Sequence, residues 1–398
     1  MMGTPEQKEK LWNSNYLKVW CSNFLMYFAF MLLTPLLPLY LSDTYGADKQ
    51  MIGLVLSGYA VAALCIRPFS GFFVDSFPRK TVLLLFYFLT AAFFGGYLIA
   101  GSLTMFAIFR TLHGAPFGAT GVSLSTVMID VLPPSRRAEG IGYFGLSNNI
   151  ATAISPGVAV FLFTHYHSYD MLFALSLVCS LAGLIVNATL HLKDRELVKE
   201  KQPVSLDRFI MLKGWAHFLV IFTVAVAYSI LSTYVAIYGK EEMGITSGTG
   251  LFFTLFAVGL IISRLTGSSS LRKGQIVRNA SMGILVSISG FIIFAAVHNP
   301  VGYYLAPFVI GLGNGHLWPA FQMMFINMAP HSQRGTANST LLTSWDLGMG
   351  VGMFAGGSIA EHLGYHTAFW SGAAFYAIGV IFYFTFVRGY YKRNKLHD

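Results

Sequence analysis

Asp346 is the residue that first demands an explanation. Of the 17 acidic side chains, nearly all stand in polar stretches or at the ends of apolar runs, whereas Asp346 sits nine residues into the run Ala337 to Ala360. At 1.5 Å per helical residue that is roughly 14 Å deep. A charge held at such depth costs at least ~2.5–3.5 kcal/mol on insertion scales, so the carboxylate must take a proton, pair with a cation or face a cavity. Trp345 stands beside it, and glycines follow in the segment TSWDLGMGVG, which allows close packing or a flexible wall. Arg110 lies seven residues into another apolar run, with His113 one turn further along the same helical face. A guanidinium in low dielectric needs an anion, and the candidates are Asp346 or an acidic substrate. His113 and His316 both fall inside apolar runs, where their charge change near neutral pH suits a proton relay; hydrogen-bonded packing is the alternative role for either.

The elements that must position these groups are long apolar segments. The 398 residues are 55% hydrophobic and 11% charged, against about 25% charged in soluble domains, so the composition places the chain in a bilayer. Twelve runs are long enough to cross a hydrocarbon core of about 30 Å as helices. Six of them, from about Lys18 to Leu192, precede a charged segment, and six, from about Leu212 to Val387, follow it. The expected organisation is therefore a six-helix bundle over 1–192, a linker over 193–213 and a second bundle over 214–398. The polar N-terminus carries no small-residue cleavage site after an apolar core, so no removable signal peptide is expected.

Lysine and arginine fix the expected sidedness. With the N-terminus in the cytoplasm, 21 of the 26 basic residues fall in cytoplasmic segments, two (Lys49 and Lys240) fall in outer loops, and Arg67, Arg110 and Arg264 lie within spans. That bias predicts both termini and the linker in the cytoplasm, in a bacterial inner membrane. The net charge of +9 marks sidedness, since no basic cluster forms a nucleic-acid patch. Cys21, Cys65 and Cys179 have neither CxxC spacing nor a partnering histidine, so no disulfide framework or metal site is expected.

A repeat runs through the chain at a constant offset of 197 residues: Arg67 falls on Arg264, Gly114 and Gly118 on Gly311 and Gly315, Pro133 on Pro330, Ser135 on Ser332, and Arg137 on Arg334. One register without a gap carries rare Arg and Pro positions together, which chance alignment of apolar sequence does not do. The halves are thus expected to be parallel repeats related by an axis along the membrane normal.

Between the second and third runs stands RPFSGFFVDSFPRK. Gly71, Asp75, Arg79 and Lys80 match the order of residues in G-x-L-A-D-R-x-G-R-K, and on this stretch the chain resembles the major facilitator superfamily. Phe73 stands where leucine is usual and Pro78 where a second glycine is usual; proline fixes φ near −65° and cannot supply a positive φ. The second repeat carries SSSLRKG, with no counterpart to Asp75. Arg110 with Gly114 matches an R-x-x-x-G pattern that the superfamily associates with proton transfer or substrate contact. NNIATAISPGVAV in the fifth run, which holds Asn149 and Pro156, is similar to a degraded G-x-x-x-G-P-x-x-G-G motif of exporters, or serves as a kinked packing interface.

The resemblance implies an all-α membrane protein with twelve transmembrane helices in two pseudo-symmetric six-helix bundles, closest to drug:proton antiporter-like exporters. It implies a cytoplasmic gate drawn from Gly71, Asp75, Arg79, Lys80, Asp130 and Arg67, and a cavity to which Asp346, Arg110, His113, His316, Asn149, Trp345, Asn23 and Tyr27 contribute. Many exporters of cationic drugs carry an acid in the first helix, where this chain offers Asn23 and Tyr27, so a neutral or acidic cargo fits better. The expected activity is proton-coupled export of a small organic molecule by a monomer embedded in lipid, with a proton symporter importing a sugar or organic acid as the alternative. No G-x-x-x-x-G-K-[ST] loop and no paired nucleophile and base are present, so neither ATP use, an enzyme activity nor a cofactor is expected.

Overall fold

The computed structural model describes residues 10–133, 136–192, 210–245, 249–272, 274–329 and 334–396. The first apolar run forms two helices, α1 (Ser14–Leu33) and α2 (Leu37–Tyr45), where the sequence predicts one span. Pro35 and Pro38 interrupt the ladder at Thr34–Leu36 because a proline has no N–H to donate. Then follow α3 (Lys49–Ser76), α4 (Arg79–Leu98), α5 (Leu103–Val131), α6 (Arg137–Tyr166) and α7 (Tyr169–Ala188). The second half holds α8 (Trp215–Glu241), α9 (Thr249–Arg272), α10 (Ile276–Ala296), α11 (Pro300–Met328), α12 (Arg334–Phe382) and α13 (Arg388–Asn394). Helix α12 is two spans: Gly364, at φ 84°, ψ 165°, turns the chain where a β-carbon would strain it. Taking α1 with α2 and dividing α12 at Gly364 gives the twelve spans read from the sequence.

Short polar side chains start many of these helices. Asn13, Asp48, Ser102, Ser168 and Asn299 each accept a hydrogen bond from the backbone N–H three residues on, which satisfies a donor that the first turn leaves free. The α3–α4 turn takes only Phe77 and Pro78, with φ −124° and −58°; Pro78 caps α4, and no positive φ is needed.

Among the described residues, eight helical segments are long and apolar enough to cross a membrane by themselves, the last of them spanning 339–394. Helices α5 and α11 are not among the eight. They pass through the interior of their bundles and carry buried polar groups, Arg110, His113, Thr120 and Ser123 on one and Asn314 and His316 on the other.

The repeat is visible in the packing. A methyl group placed on Gly114 would collide with Tyr59 O and crowd Ala63 N; on Gly311 it would collide with Phe256 O and crowd Leu260 N. Every residue in the second set is the first shifted by 197. Helix α3 therefore lies on α5 as α9 lies on α11, with the backbone approach that only glycine permits.

Two seams join the lobes, α3 against α12 and α6 against α9. The end of the molecule that bears the α2–α3 and α8–α9 loops, here the loop end, is held shut. Lys49 N donates to Glu361 Oε2 at 3.0 Å, Lys49 Nζ lies 3.6 Å from Glu241 Oε2, and Lys240 Nζ donates to Asp43 Oδ1 at 2.8 Å. The Tyr234 hydroxyl also donates across the lobes to Lys49 O at 3.4 Å. Among the described residues, hydrogen bonds and ion pairs between the lobes run from this end only as deep as Arg67 and Asp346. The opposite, terminal end bears residues 10–13 and 395–396. Most of the linker predicted over 193–213 lies outside the described residues, as do Pro330 and Ser332.

Candidate functional site

Asp346 projects from α12 into the α3 seam and accepts a hydrogen bond from Arg67 Nε through Oδ2. Arg67 stands nine residues before the end of α3, roughly 14 Å in from the terminal end, which matches the depth read for Asp346 from its own helix. Both charges are thus at one level, one from each lobe. Their side chains keep 14% and 17% of their surface, so the pair is neither sealed nor turned outward: it closes the seam while remaining reachable. This partnership departs from both sequence readings. Arg110 was expected to face either Asp346 or an acidic substrate, and Arg67 was expected among the gate residues. Arg67 lies too deep for a gate, and Arg110 points elsewhere.

Arg110 is 3% exposed and lies within the first lobe. Its guanidinium carbon sits 4.3 Å from the centroid of Tyr59 and 5.2 Å from that of Phe30, and one terminal nitrogen is 3.4 Å from Tyr97 Oη. Among the described residues, aromatic faces and a distant hydroxyl, and no carboxylate, lie against this charge. Its Nε, the Tyr59 hydroxyl and His113 Nε2 are all buried without a partner. His113 Nδ1 makes a 2.7 Å bond with the same Tyr97 hydroxyl, so α3, α4 and α5 share one polar cluster beneath an aromatic cover.

The other predicted cavity residues divide. Trp345 packs on Tyr228 and Trp318, with centroids 5.5 and 5.2 Å away, and Tyr228 continues to Phe256 at 5.4 Å. Tyr27 stacks edge-on to Phe117. Tyr27 and Phe117 belong to the first lobe, and the rings of Trp345, Tyr228, Trp318 and Phe256 to the second, with Trp345 next to Asp346 in the chain. Asn23 is buried within the first lobe, donating to Ser147 Oγ at 2.7 Å and to Asn148. His316 lies against Asn279 Oδ1 at 3.2 Å within the second lobe. Asn149, on α6, has a buried Nδ2 with no partner.

At the terminal end Arg79 Nη1 pairs with Asp130 Oδ2, joining the start of α4 to the end of α5, and Lys80 Nζ donates to Leu190 O at 2.7 Å. Both contacts stay inside the first lobe. The side chain of Asp75 and the surroundings of Gly71 are not among the described parts, although the backbone at both is helical.

With this geometry in view, the comparison with known families is decisive. The model described as Major Facilitator Superfamily matches residues 19–322 and 280–397. The chain belongs to the Major Facilitator Superfamily. Among curated proteins of the superfamily it is similar to the multi-drug resistance efflux pump PmrA of Streptococcus pneumoniae, 22% identical over 93% of this chain and 95% of the pump. It is also similar to the quinolone resistance protein NorA of Staphylococcus aureus, 21% identical over 85% of this chain and 88% of that one. Its fold matches the crystal structure of a peptide transporter, POT, with a TM-score of 0.78 at 16% identity, covering 96% and 95% of the two chains. This superfamily member is thus an integral membrane transporter with efflux pumps among its distant relatives.

The sequence left one further residue unassigned. Arg264, the repeat mate of Arg67, has a buried Nε without a partner. The signal was available: the same arginine stands in both repeats, which packing alone does not require.

Proposed function

We propose that this transporter exports a small organic molecule in exchange for protons, by alternating access of its two lobes. The observation that carries the reading is the Arg67–Asp346 pair, which joins the lobes at one depth and keeps part of its surface open. Protonation removes the charge of Asp346, so its attraction to Arg67 is lost and the α3–α12 seam is weakened. Deprotonation restores the pair. A single proton thereby biases a two-state element, as coupling requires.

Direction is supported by two features. The lobes are clamped at the loop end, and the positive-inside bias supports a cytoplasmic terminal end; in that orientation this conformation receives cargo from inside the cell. The relative PmrA is an efflux pump by name. Arg79 and Asp130, with Asp75 beside them in sequence order, form the gate that latches the cytoplasmic side once the lobes rock. In the clamped-outside state, the Arg79–Asp130 contact stays within one lobe.

The test uses inverted vesicles containing the purified protein and a fluorescent quinolone, chosen because a relative is named for quinolone resistance. Acidifying the lumen drives accumulation in the wild type and none in Asp346→Asn. Equal accumulation by the two proteins contradicts a coupling role for Asp346, and accumulation only when the outside is acidified favours symport.

A further inference from the structure

The two seams of this molecule are built in one register and differ in one charge. On the first, Gly53 lies against Met353 O; on the second, Gly250 lies against Pro156 O. Shifting Gly53 forward by 197 gives Gly250, and shifting Met353 back by 197 gives Pro156. The same shift carries Arg67 to Arg264 and Asp346 to Asn149. Helices α9 and α6 therefore bring Arg264 and Asn149 to the place that, across the molecule, holds the Arg67–Asp346 ion pair.

At that place the carboxylate is missing. Asn149 supplies an amide in its stead, and its Nδ2 is buried without a partner, as is Arg264 Nε. Arg264 makes no ion pair among the described residues. Both side chains are half-buried overall, so each keeps some exposed surface although these two nitrogens are buried. A guanidinium at this depth, with no anion, is costly to insert. Its fork presents parallel N–H donors to a planar two-oxygen anion, and an amide N–H beside it adds a further donor.

We infer that Arg264 and Asn149 form an anion subsite, which takes the carboxylate of a free organic solute where the opposite seam uses its own aspartate. The aromatic wall of Phe256, Tyr228 and Trp345 suits an apolar or aromatic body on the same molecule. This inference rests on the transporter reading and names the class of cargo: an amphiphilic monocarboxylate. It also assigns an electrostatic consequence. A bound carboxylate completes a second ion pair between the lobes, so cargo and Asp346 act on two matching seams.

The test measures equilibrium binding, with no proton gradient, to the full chain in nanodiscs of zwitterionic lipid. The probes are 1-naphthylacetate and its neutral amide, followed by calorimetry. The wild type binds the carboxylate at least about tenfold more tightly than the amide, the scale of a charge-assisted pair. Arg264→Gln removes that preference, and Arg264→Lys keeps part of it. Asn149→Asp also removes it, because the introduced acid occupies Arg264 from within; this variant retains every cation and guards against a folding defect in the first. Equal binding of the two probes, no binding of the carboxylate, or wild-type preference in both Arg264→Gln and Asn149→Asp overturns the inference. Repeating the titration with one third phosphatidylglycerol separates the sources of anion. An unchanged affinity supports a free solute, and a loss of affinity assigns Arg264 to lipid headgroups and overturns it. Coupling through Asp346 is read by vesicle transport alone, so either conclusion can fail while the other stands.

Discussion

Seam for seam, the molecule answers the same geometric problem in two ways. Where α3 meets α12, an arginine from one lobe meets an aspartate from the other, and the surrounding contact is tight: a methyl on Gly53 would lie 2.5 Å from Met353 O and 2.7 Å from the Tyr234 hydroxyl. Where α6 meets α9, the arginine is kept, the acid is an asparagine, and the contact is looser, with Gly157 Cα and Val160 Cβ both 3.2 Å from a methyl on Gly250. The lobes diverge likewise at the terminal end. Arg79 and Asp130 pair in the first, whereas their mates Ile276 and Asn327 cannot, and Asn327 donates instead to Tyr391 Oη at 3.2 Å. A duplicated scaffold thus keeps its backbone register and spends its asymmetry on charge. One seam is self-complementary; the other is left for a ligand.

The contrast is sharpest when one arginine is removed from each seam. Arg67→Gln strands Asp346 beside the lobe boundary, and because that carboxylate is largely out of water the unfolding free energy falls by about 2–4 kcal/mol, read by thermal or chemical unfolding in detergent. Arg264→Gln strands nothing and leaves stability unchanged or raised. Equal losses would erase the distinction between the seams.

Backbone approach offers the next test. Gly53→Ala overpacks a seam against a fixed carbonyl and costs about 1–3 kcal/mol, while Gly250→Ala, facing side-chain and Cα atoms at 3.2 Å, costs under about 1 kcal/mol. Cysteine labelling at the loop end checks the ordering, with Gly53→Ala opening that end more. Adding the missing acid has the opposite effect: Asn149→Asp gives the α6–α9 seam its own pair and slows loop-end labelling by roughly tenfold, about 1.4 kcal/mol. The least effect comes from Lys240→Ala. Its bond to Asp43 is exposed on both sides, at 46% and 38%, and its loss changes loop-end labelling by less than about 1 kcal/mol.

Much of this was legible in the chain itself, because bilayer physics writes large signals. Twelve apolar runs, the 197-residue register and the lone Asp346 follow from hydropathy and spacing, and each is present in the fold. What failed was partner assignment. Arg67 was read with the turn it precedes, although it stands nine residues inside α3, and Arg110 was read as facing Asp346 or an acidic substrate because a guanidinium in low dielectric needs an anion. Sequence shows that a charge needs compensation and does not show which of three arginines provides it. Asp346 and Arg67 are 279 residues apart and meet only because the lobes abut. Aromatic faces are a second hidden solution: Tyr59 and Phe30 accommodate Arg110, and nothing in a list of acids reveals them. The break between α1 and α2 has its signal in Pro35 and Pro38, which hydropathy alone does not register because the apolar run continues through them.

The claim on which the rest depends is that Asp346 takes and releases a proton while its lobes stay folded. Infrared difference spectroscopy of the purified protein in lipid, between neutral and acidic buffer, reads that event directly. A protonated-carboxyl band that rises on acidification in the wild type and is missing from Asp346→Asn is the predicted result. An identical band in both proteins, with Asp346 ionised throughout, would contradict the account.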